Sequence, residues 1–422
     1  MFKQFSSNNL HGCRSTMKHM KSIPARLKIF LKKILSHPLI YPVYQKTGRH
    51  FERSRILMLC RRILFKRKGY LKPPPYKHSA NKITSAGNRP DSIPMLIKDS
   101  KASVPLTIGF IITENHPSTI YGDYFTARGL GDELEKFGYR IIYLPERPIY
   151  KWHHLSSIDI LIVMRHTFDP VLLRYYPGLT SIAWIRGYVD EWCRKPWFKE
   201  YDIVMTTSEI SLQYSRQFTD PKKCLGVLRL AADASKFKPG PPVSKYEADI
   251  SFVGNIFEVP REFSQKLTIP PGISFKFYGK LENKRHRLNK YHRGEVTHSE
   301  IPRIYNSSKI ILEDCTPMCK PWGCINSRTF EAMSCGACVI SNEVPGLKEL
   351  FGDRIITYRN REDLEEKITC LIQDKETRNK IGERARAEII KHHTYKHRAR
   401  EFRDILTSSL ASKNDVRPKA TA

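Results

Sequence analysis

The residues with the most to say about chemistry in this 422-residue chain lie in NSRTFEAMSCGACVISNEVPGLKELF, from Asn326 to Phe351. Within it, Glu331 is expected near the start of a short helix that runs into a small-residue turn and an apolar strand. An acid near a helix N-terminus is favoured by the exposed N–H groups and the helix dipole in any protein. Glu331 therefore reads either as a local helix stabiliser or as a ligand-binding group. Five of the ten cysteines, Cys315, Cys319, Cys324, Cys335 and Cys338, fall within 24 residues, and the last two form CxxC. Paired thiolates at that spacing are common zinc ligands. Here, however, Cys335 and Cys338 flank Gly336 and Ala337 at the entry to the strand CVIS, where a thiol packs as a small apolar group. No metal site is expected. Glu313 and Asp314, which end KIILED, read as a solvated strand end rather than a magnesium site. DxD, GxGxxG after the first strand and GxxxxGK[ST] are all missing, so nicotinamide and P-loop chemistry lack support.

The elements that position these residues alternate between strand and helix. LTIGFIIT, RIIYL, IDILIVM, TSIAWIR and YDIVMTT are apolar runs separated by helical or turn segments, among them the helix YFTARGLGDELEKFG, closed by Gly138. This alternation predicts a parallel sheet covered on both faces. SKFKPGPPVSKYEAD then breaks the pattern with three prolines and a glycine. A second series follows, DISFVGN, ISFKFYGK, KIILED, CVISN and RIITY, with a long helical tail from Glu362 to about Leu410. The fold class is thus α/β, with two doubly wound Rossmann-like domains facing a cleft, over residues 105–238 and 239–422. Ligands in such sheets bind beyond the carboxyl ends of the strands.

Residues 1–104 are different in kind. They hold 23 Lys and Arg against 3 Asp and Glu, most of the net charge of +30. From Arg26 to Leu35 and from Arg53 to Lys68, apolar residues recur at helical spacing opposite a basic face. Such helices suit an anionic membrane surface. Packing on the body, or phosphate contacts to nucleic acid, are the other readings, and the missing nucleic-acid motif makes the last the weakest. Residues 71–105, rich in Pro, Ser, Asn and Lys, read as a linker. Lys32, Lys33 and His37 interrupt the best apolar run, so neither a membrane span nor a cleavable signal peptide is expected. Reduced thiols fit the cytosol. The expectation is a cytoplasmic protein, peripheral at the inner face of a membrane through residues 1–70.

The motif RTFEAMSCGACVISNEVPGLKELF resembles the nucleotide-sugar motif of group-1, family-4-like GT-B glycosyltransferases. Its Asn-x-Arg-x-Phe-Glu-Ala form is most similar to the spore-maturation-protein branch. LRLAADASKFKP, DISFVGN and HHTYKHRAREFRDIL resemble the family's prelinker segment, first strand of the second domain and terminal helix. The resemblance covers about residues 105–410 and implies that Glu331 holds the ribose hydroxyls of a nucleotide, a task suited to a carboxylate facing a vicinal diol. It further implies that the donor is a nucleotide-diphosphate sugar, that no other cofactor is used, and that basic groups rather than a metal stabilise the departing diphosphate. Arg261 matches the place of a basic residue after FVG, or else is an exposed first-turn arginine. The sequence departs from the family at Gly323, where a second glutamate is usual. Asn326 and Arg328 are the polar groups best placed to replace it, Arg328 either clamping a phosphate or forming a surface ion pair. In the first domain, where the family receives its acceptor, His116, Gly122, Asp123, Arg165, His166, Arg186 and Asp190 follow the strands. Asp123 and His166 are the candidate general bases.

The function so implied is transfer of a sugar to a hydroxyl of a glycan or lipid-linked acceptor in polysaccharide biosynthesis. A nucleotide-sugar epimerase on the same scaffold, or a GT-B-shaped binding or assembly protein without turnover, are the alternatives.

Overall fold

A computed structural model describes residues 105–414, apart from 150, 258–260 and 284. The two amphipathic helices expected in the basic arm, and nearly all of the linker, lie outside the described residues. The first sheet has β1 (Thr107–Glu114), β2 (Arg140–Arg147), β3 (Ile160–Val163), β4 (Thr180–Ile185), β5 (Ile203–Thr206) and β6 (Cys224–Val227), in the order β2-β1-β3-β4-β5-β6. The second has β7 (Ala248–Val253), β8 (Phe275–Tyr278), β9 (Ser308–Glu313), β10 (Cys338–Asn342) and β11 (Ile356–Tyr358), in the order β11-β10-β9-β7-β8. Every pairing is parallel. The expected doubly wound pair is therefore present. Strands such as ILIV and IVMT are buried along their whole length, as strands covered on both faces must be.

The helices are α1 (Gly122–Glu135), α2 (Val189–Cys193), α3 (Glu209–Ser215), α4 (Glu262–Lys266), α5 (Ile301–Asn306), α6 (Ser327–Ser334), α7 (Leu347–Phe351), α8 (Arg361–Gln373), α9 (Lys375–His392) and α10 (Tyr395–Asn414). The expected single tail is thus three helices. The break before α9 falls at Asp374, whose carboxylate accepts the Thr377 N–H at 2.9 Å and so caps the new helix. β6 escaped the sequence reading because its four residues, CLGV, include a glycine and are only partly buried.

The terminal helix α10 packs on the first domain rather than the second. Gly129 of α1 leaves room for the Tyr395 ring, and Ile405 lies over Gly226 of β6. The chain crosses between domains where Ala232 donates to His393 O at 3.1 Å and Tyr395 donates back to Ala232 O at 3.2 Å. Apolar side chains of both sheets merge there into one cluster with Phe330, Phe351, Tyr395 and Phe402.

Candidate functional site

In each sheet the strand order reverses at one place, between β1 and β3 in the first and between β7 and β9 in the second. Crevices beyond the carboxyl ends at such points are where open parallel sheets bind ligands. In the second sheet, Gly254 and Gly279 end β7 and β8 backbone to backbone: a Cβ at 279 would fall inside contact distance of the Gly254 carbonyl. Gly254 also lies flat against the Arg328 guanidinium, whose Cζ would sit 3.3 Å from a Cβ there.

Glu331 lies in the second turn of α6, not at its start, so the dipole at the helix N-terminus is not what holds it. It is 5% exposed, and its carboxylate makes no hydrogen bond among the described residues. It faces His298 Nε2, at 3.6 Å. That nitrogen is itself closed to solvent and without a hydrogen bond. The imidazole stacks on Phe125 of α1 at 3.7 Å between centroids and 5° between planes, and meets Phe237 edge-on. A ring from the first domain therefore touches the residue that faces Glu331. The local sequence explains the placement of His298: Thr297 N–H donates to Glu300 at 3.0 Å, the closing bond of a Thr-x-x-Glu box, which fixes the turn that presents His298.

The other residues expected around the nucleotide are engaged inside the protein. Arg328 forms a fork on Glu313, Nε to Oε2 at 3.0 Å and Nη2 to Oε1 at 2.7 Å. Asn326 Nδ2 adds a third bond to the same carboxylate at 2.7 Å. Burial opposes the Arg328 charge, but Glu313 outweighs it and holds the guanidinium pKa above its ordinary value. Arg261 is buried and donates to Asp314 O at 2.7 Å and Asn255 O at 3.0 Å. Its pKa is lowered by burial and by the neighbouring Arg328. It is not an exposed first-turn arginine. Glu313 and Asp314 are buried too, which corrects the reading of a solvated strand end. Asp314 accepts from Phe263 N–H at 2.9 Å while its Oδ1 has no partner. Burial raises its pKa to about 6.

Gly323 accounts for the missing second acid. It has φ +66, and a Cβ there would stand 2.8 Å from the Pro345 carbonyl and 3.3 Å from Ser208 Cβ. This backbone conformation suits glycine and strains other residues. The turn is held across the cleft, with Ser208 Oγ donating to Trp322 O, Ser211 Oγ donating to the same carbonyl at 3.0 Å, and the Tyr214 ring 4.4 Å from that of Trp322. Cys335 and Cys338 are core members and Cys315 and Cys324 are buried. Burial raises the Cys324 thiol to about 11 and Cys338 to about 12.

In the first domain, Asp123 is buried, with Oδ2 accepting from Thr113 N and Oγ1 at 2.8 and 2.6 Å and Oδ1 accepting from Tyr124 N at 3.0 Å. These bonds tie α1 to β1 and occupy three of the roughly four lone-pair sites a base would use. His166 Nε2 is 3.0 Å from Glu191 and its ring stacks on Tyr188. Asp190 accepts from Tyr214 and Arg194, His116 accepts from Ser118 N–H, and Gly122 has open space where a Cβ would go. Arg165 and Arg186 stand at the ends of β3 and β4. Sequence reasoning missed His298 and Glu146, and it placed Glu313 in solvent; of these only His298 carries a local signal, the box that presents it.

Residues 259–404 match the family model described as "Glycosyl transferase-like". No curated protein matches the chain by sequence. Among solved structures, sucrose-phosphate synthase from Thermosynechococcus elongatus is similar at 14% identity and TM-score 0.55, covering 73% of this chain and 100% of its own. HepE from Anabaena, in complex with UDP and glucose, is similar at 12% identity and TM-score 0.55, over 72% of this chain and 100% of its own. A glycosyltransferase from Rickettsia africae is similar at 13% identity and TM-score 0.51, over 72% and 99%. The two parallel sheets are the GT-B fold, and the enzyme class expected from the sequence is that of the matching family model. Among the described residues, no helix is long and apolar enough to cross a membrane.

Proposed function

We propose that this glycosyltransferase of the GT-B fold transfers a sugar from a UDP-sugar to a hydroxyl of a glycan or lipid-linked acceptor, without a metal. The observation that carries the reading is Glu331, a buried carboxylate without a hydrogen bond among the described residues, in the second turn of the helix that follows β9. Leaving such a group unpaired costs about 1–3 kcal/mol or more, and a vicinal diol supplies two donors to it. UDP is the first nucleotide to try because HepE was crystallised with UDP and with UDP-glucose. The Asn326, Arg328, Phe330, Glu331 pattern supports the spore-maturation-protein branch, and the basic arm supports a peripheral position at the cytosolic face of a membrane. In this reading Arg328 and Arg261 act on the diphosphate chiefly as fixed positive charge, since their N–H groups already hold Glu313 and two carbonyls. His166, with Glu191 behind it, is the better placed of the two candidate bases.

The test is saturation-transfer NMR of the full chain with UDP-, GDP-, ADP-, CMP- and dTDP-sugars, beside Glu331→Ala. Selective binding of the UDP-sugar that disappears in the variant is expected. Equal binding by Glu331→Ala would overturn the donor-site assignment.

Gly323 favours a second reading, a nucleotide-binding protein without turnover, because its backbone excludes the usual acid. Binding without loss of the sugar nucleotide, in the presence of any acceptor glycan tried, is what that reading expects.

A further inference from the structure

The first domain carries charged side chains that the donor site does not explain. Arg165 follows β3 at the reversal of strand order, and Arg186 directly follows β4, the neighbour of β3 through the Val163–Ala183 pairing. Arg186 Nη2 donates to Met164 O at 3.4 Å, so its guanidinium lies beside the residue preceding Arg165. Two like charges thus stand at adjoining strand ends. Gly187 places them on the cleft, since a Cβ there would come 2.7 Å from Cys319 Sγ of the second domain.

Neither arginine is held as a structural arginine ordinarily is. Among the described residues, Arg165 has Glu146 Oε2 at 3.7 Å and makes no hydrogen bond, and Arg186 makes only the long one to Met164. The Nε atoms of both are closed to solvent and without partners. The Arg165 side chain is nevertheless 25% exposed, and since its Nε is closed to solvent, the accessible polar part is its terminal N–H groups. Asp123, the acid that offsets Arg186, is already bonded to Thr113 and Tyr124. Burial and the like charge of Arg165 lower the Arg186 pKa. Arg328 supplies the contrast within the same molecule: there a carboxylate fills the fork.

We propose that Arg165 and Arg186 form an oxyanion site, and that it takes a phosphate or carboxylate group of the acceptor. A planar guanidinium fork binds either group bidentately, which an ammonium does not. A neutral hydroxyl would engage one N–H and leave the other donors of the forks open. The assignment to the acceptor rests on the transferase reading; the anion site does not.

Inorganic phosphate is the probe, followed by 31P NMR titration of the full chain, free and saturated with UDP, in the wild type, Arg165→Gln, Arg165→Lys, Arg186→Gln and Glu331→Ala. Phosphate binding that survives both UDP and Glu331→Ala, and weakens at least tenfold in Arg165→Gln with partial recovery in Arg165→Lys, is expected. Binding abolished by UDP would assign the arginines to the donor's diphosphate and overturn the proposal. So would binding unchanged in Arg165→Gln and Arg186→Gln, which would place the anion on other basic groups, or no binding at all. Melting curves keep the glutamine variants interpretable, and Arg165→Lys, which keeps the charge facing Glu146 but not the fork, still weakens phosphate binding and carries the test if they fail to fold. A chain that binds phosphate but no UDP would fail the donor reading alone.

Discussion

Replacing Arg328 by methionine separates its two readings, a phosphate clamp and an ion-pair partner. The Glu313 side chain is 3% exposed and accepts three hydrogen bonds, two of them from Arg328 and one from Asn326. Arg328→Met removes the counter-charge and two of the three donors, leaving a buried carboxylate with one amide. Breaking a buried pair in this way costs about 3–5 kcal/mol, most of it the price of an unpaired charge. In a domain of this size that lowers the melting temperature by roughly 10 °C. Tryptophan fluorescence during thermal or urea unfolding reads the loss, and Glu313→Gln in the same chain should recover much of it, because the buried charge is gone. If Arg328→Met melts within about 1 kcal/mol of the wild type while losing nucleotide binding, the ion pair is incidental and Arg328 is an anion ligand.

Asp314 gives a pH dependence with a definite sign. Its folded pKa of about 6 exceeds the unfolded value near 3.9, so the native state holds more protons between about pH 4 and 6. Its contribution is present below that window and is lost as pH rises through it, a change of about 3 kcal/mol. Asp314→Asn should therefore gain stability over the wild type between pH 4 and 7 in urea titrations, and a flat difference would refute the burial argument. At Gly382 in α9, alanine gains about 1 kcal/mol of helix propensity, yet its Cβ would overlap the Gly336 carbonyl. Overpacking of about 1–3 kcal/mol is expected to win, and a raised melting temperature for Gly382→Ala would show that the contact yields. Gly323→Glu, which restores the usual acid, should lower the melting temperature without raising sugar transfer, measured as nucleotide release; a faster enzyme would mean the turn accommodates it.

The strands were legible because burial on both faces leaves a mostly apolar run of four to six residues, as in Ile160–Val163 and Thr180–Ile185. CVISN was found to the residue. β6 was not, since Cys224–Val227 gains its cover from Ile405, about 180 residues later, and nothing within four residues announces that. The packing of α10 on α1 is hidden for the same reason. Gly129 reads as a flaw in a helix until Tyr395 is seen to lie against it.

Site residues were legible as types and positions, less so as roles, and the difference follows from what sets a role. A carboxylate or guanidinium acts according to which of its hydrogen-bonding positions the fold leaves open, and the fold fills them through contacts distant in sequence. Arg328 and Asn326 precede Glu331 within one motif, yet the acid they hold is Glu313, on the preceding strand, because the end of β9 and the first turn of α6 meet at the crevice. Asp123, in the first turn of α1, and Glu146, at the carboxyl end of β2, both stand at strand ends of the first sheet. Thr113 and the start of α1 occupy Asp123, whereas Glu146 has only Arg165, at 3.7 Å. Among the groups the fold leaves underused are Glu331 in one domain and Arg165 with Arg186 in the other, an acid suited to a diol and a cation pair suited to an acid. The proposed sugar nucleotide and the proposed anionic acceptor are complementary to that pair of groups, and the reverse assignment is not.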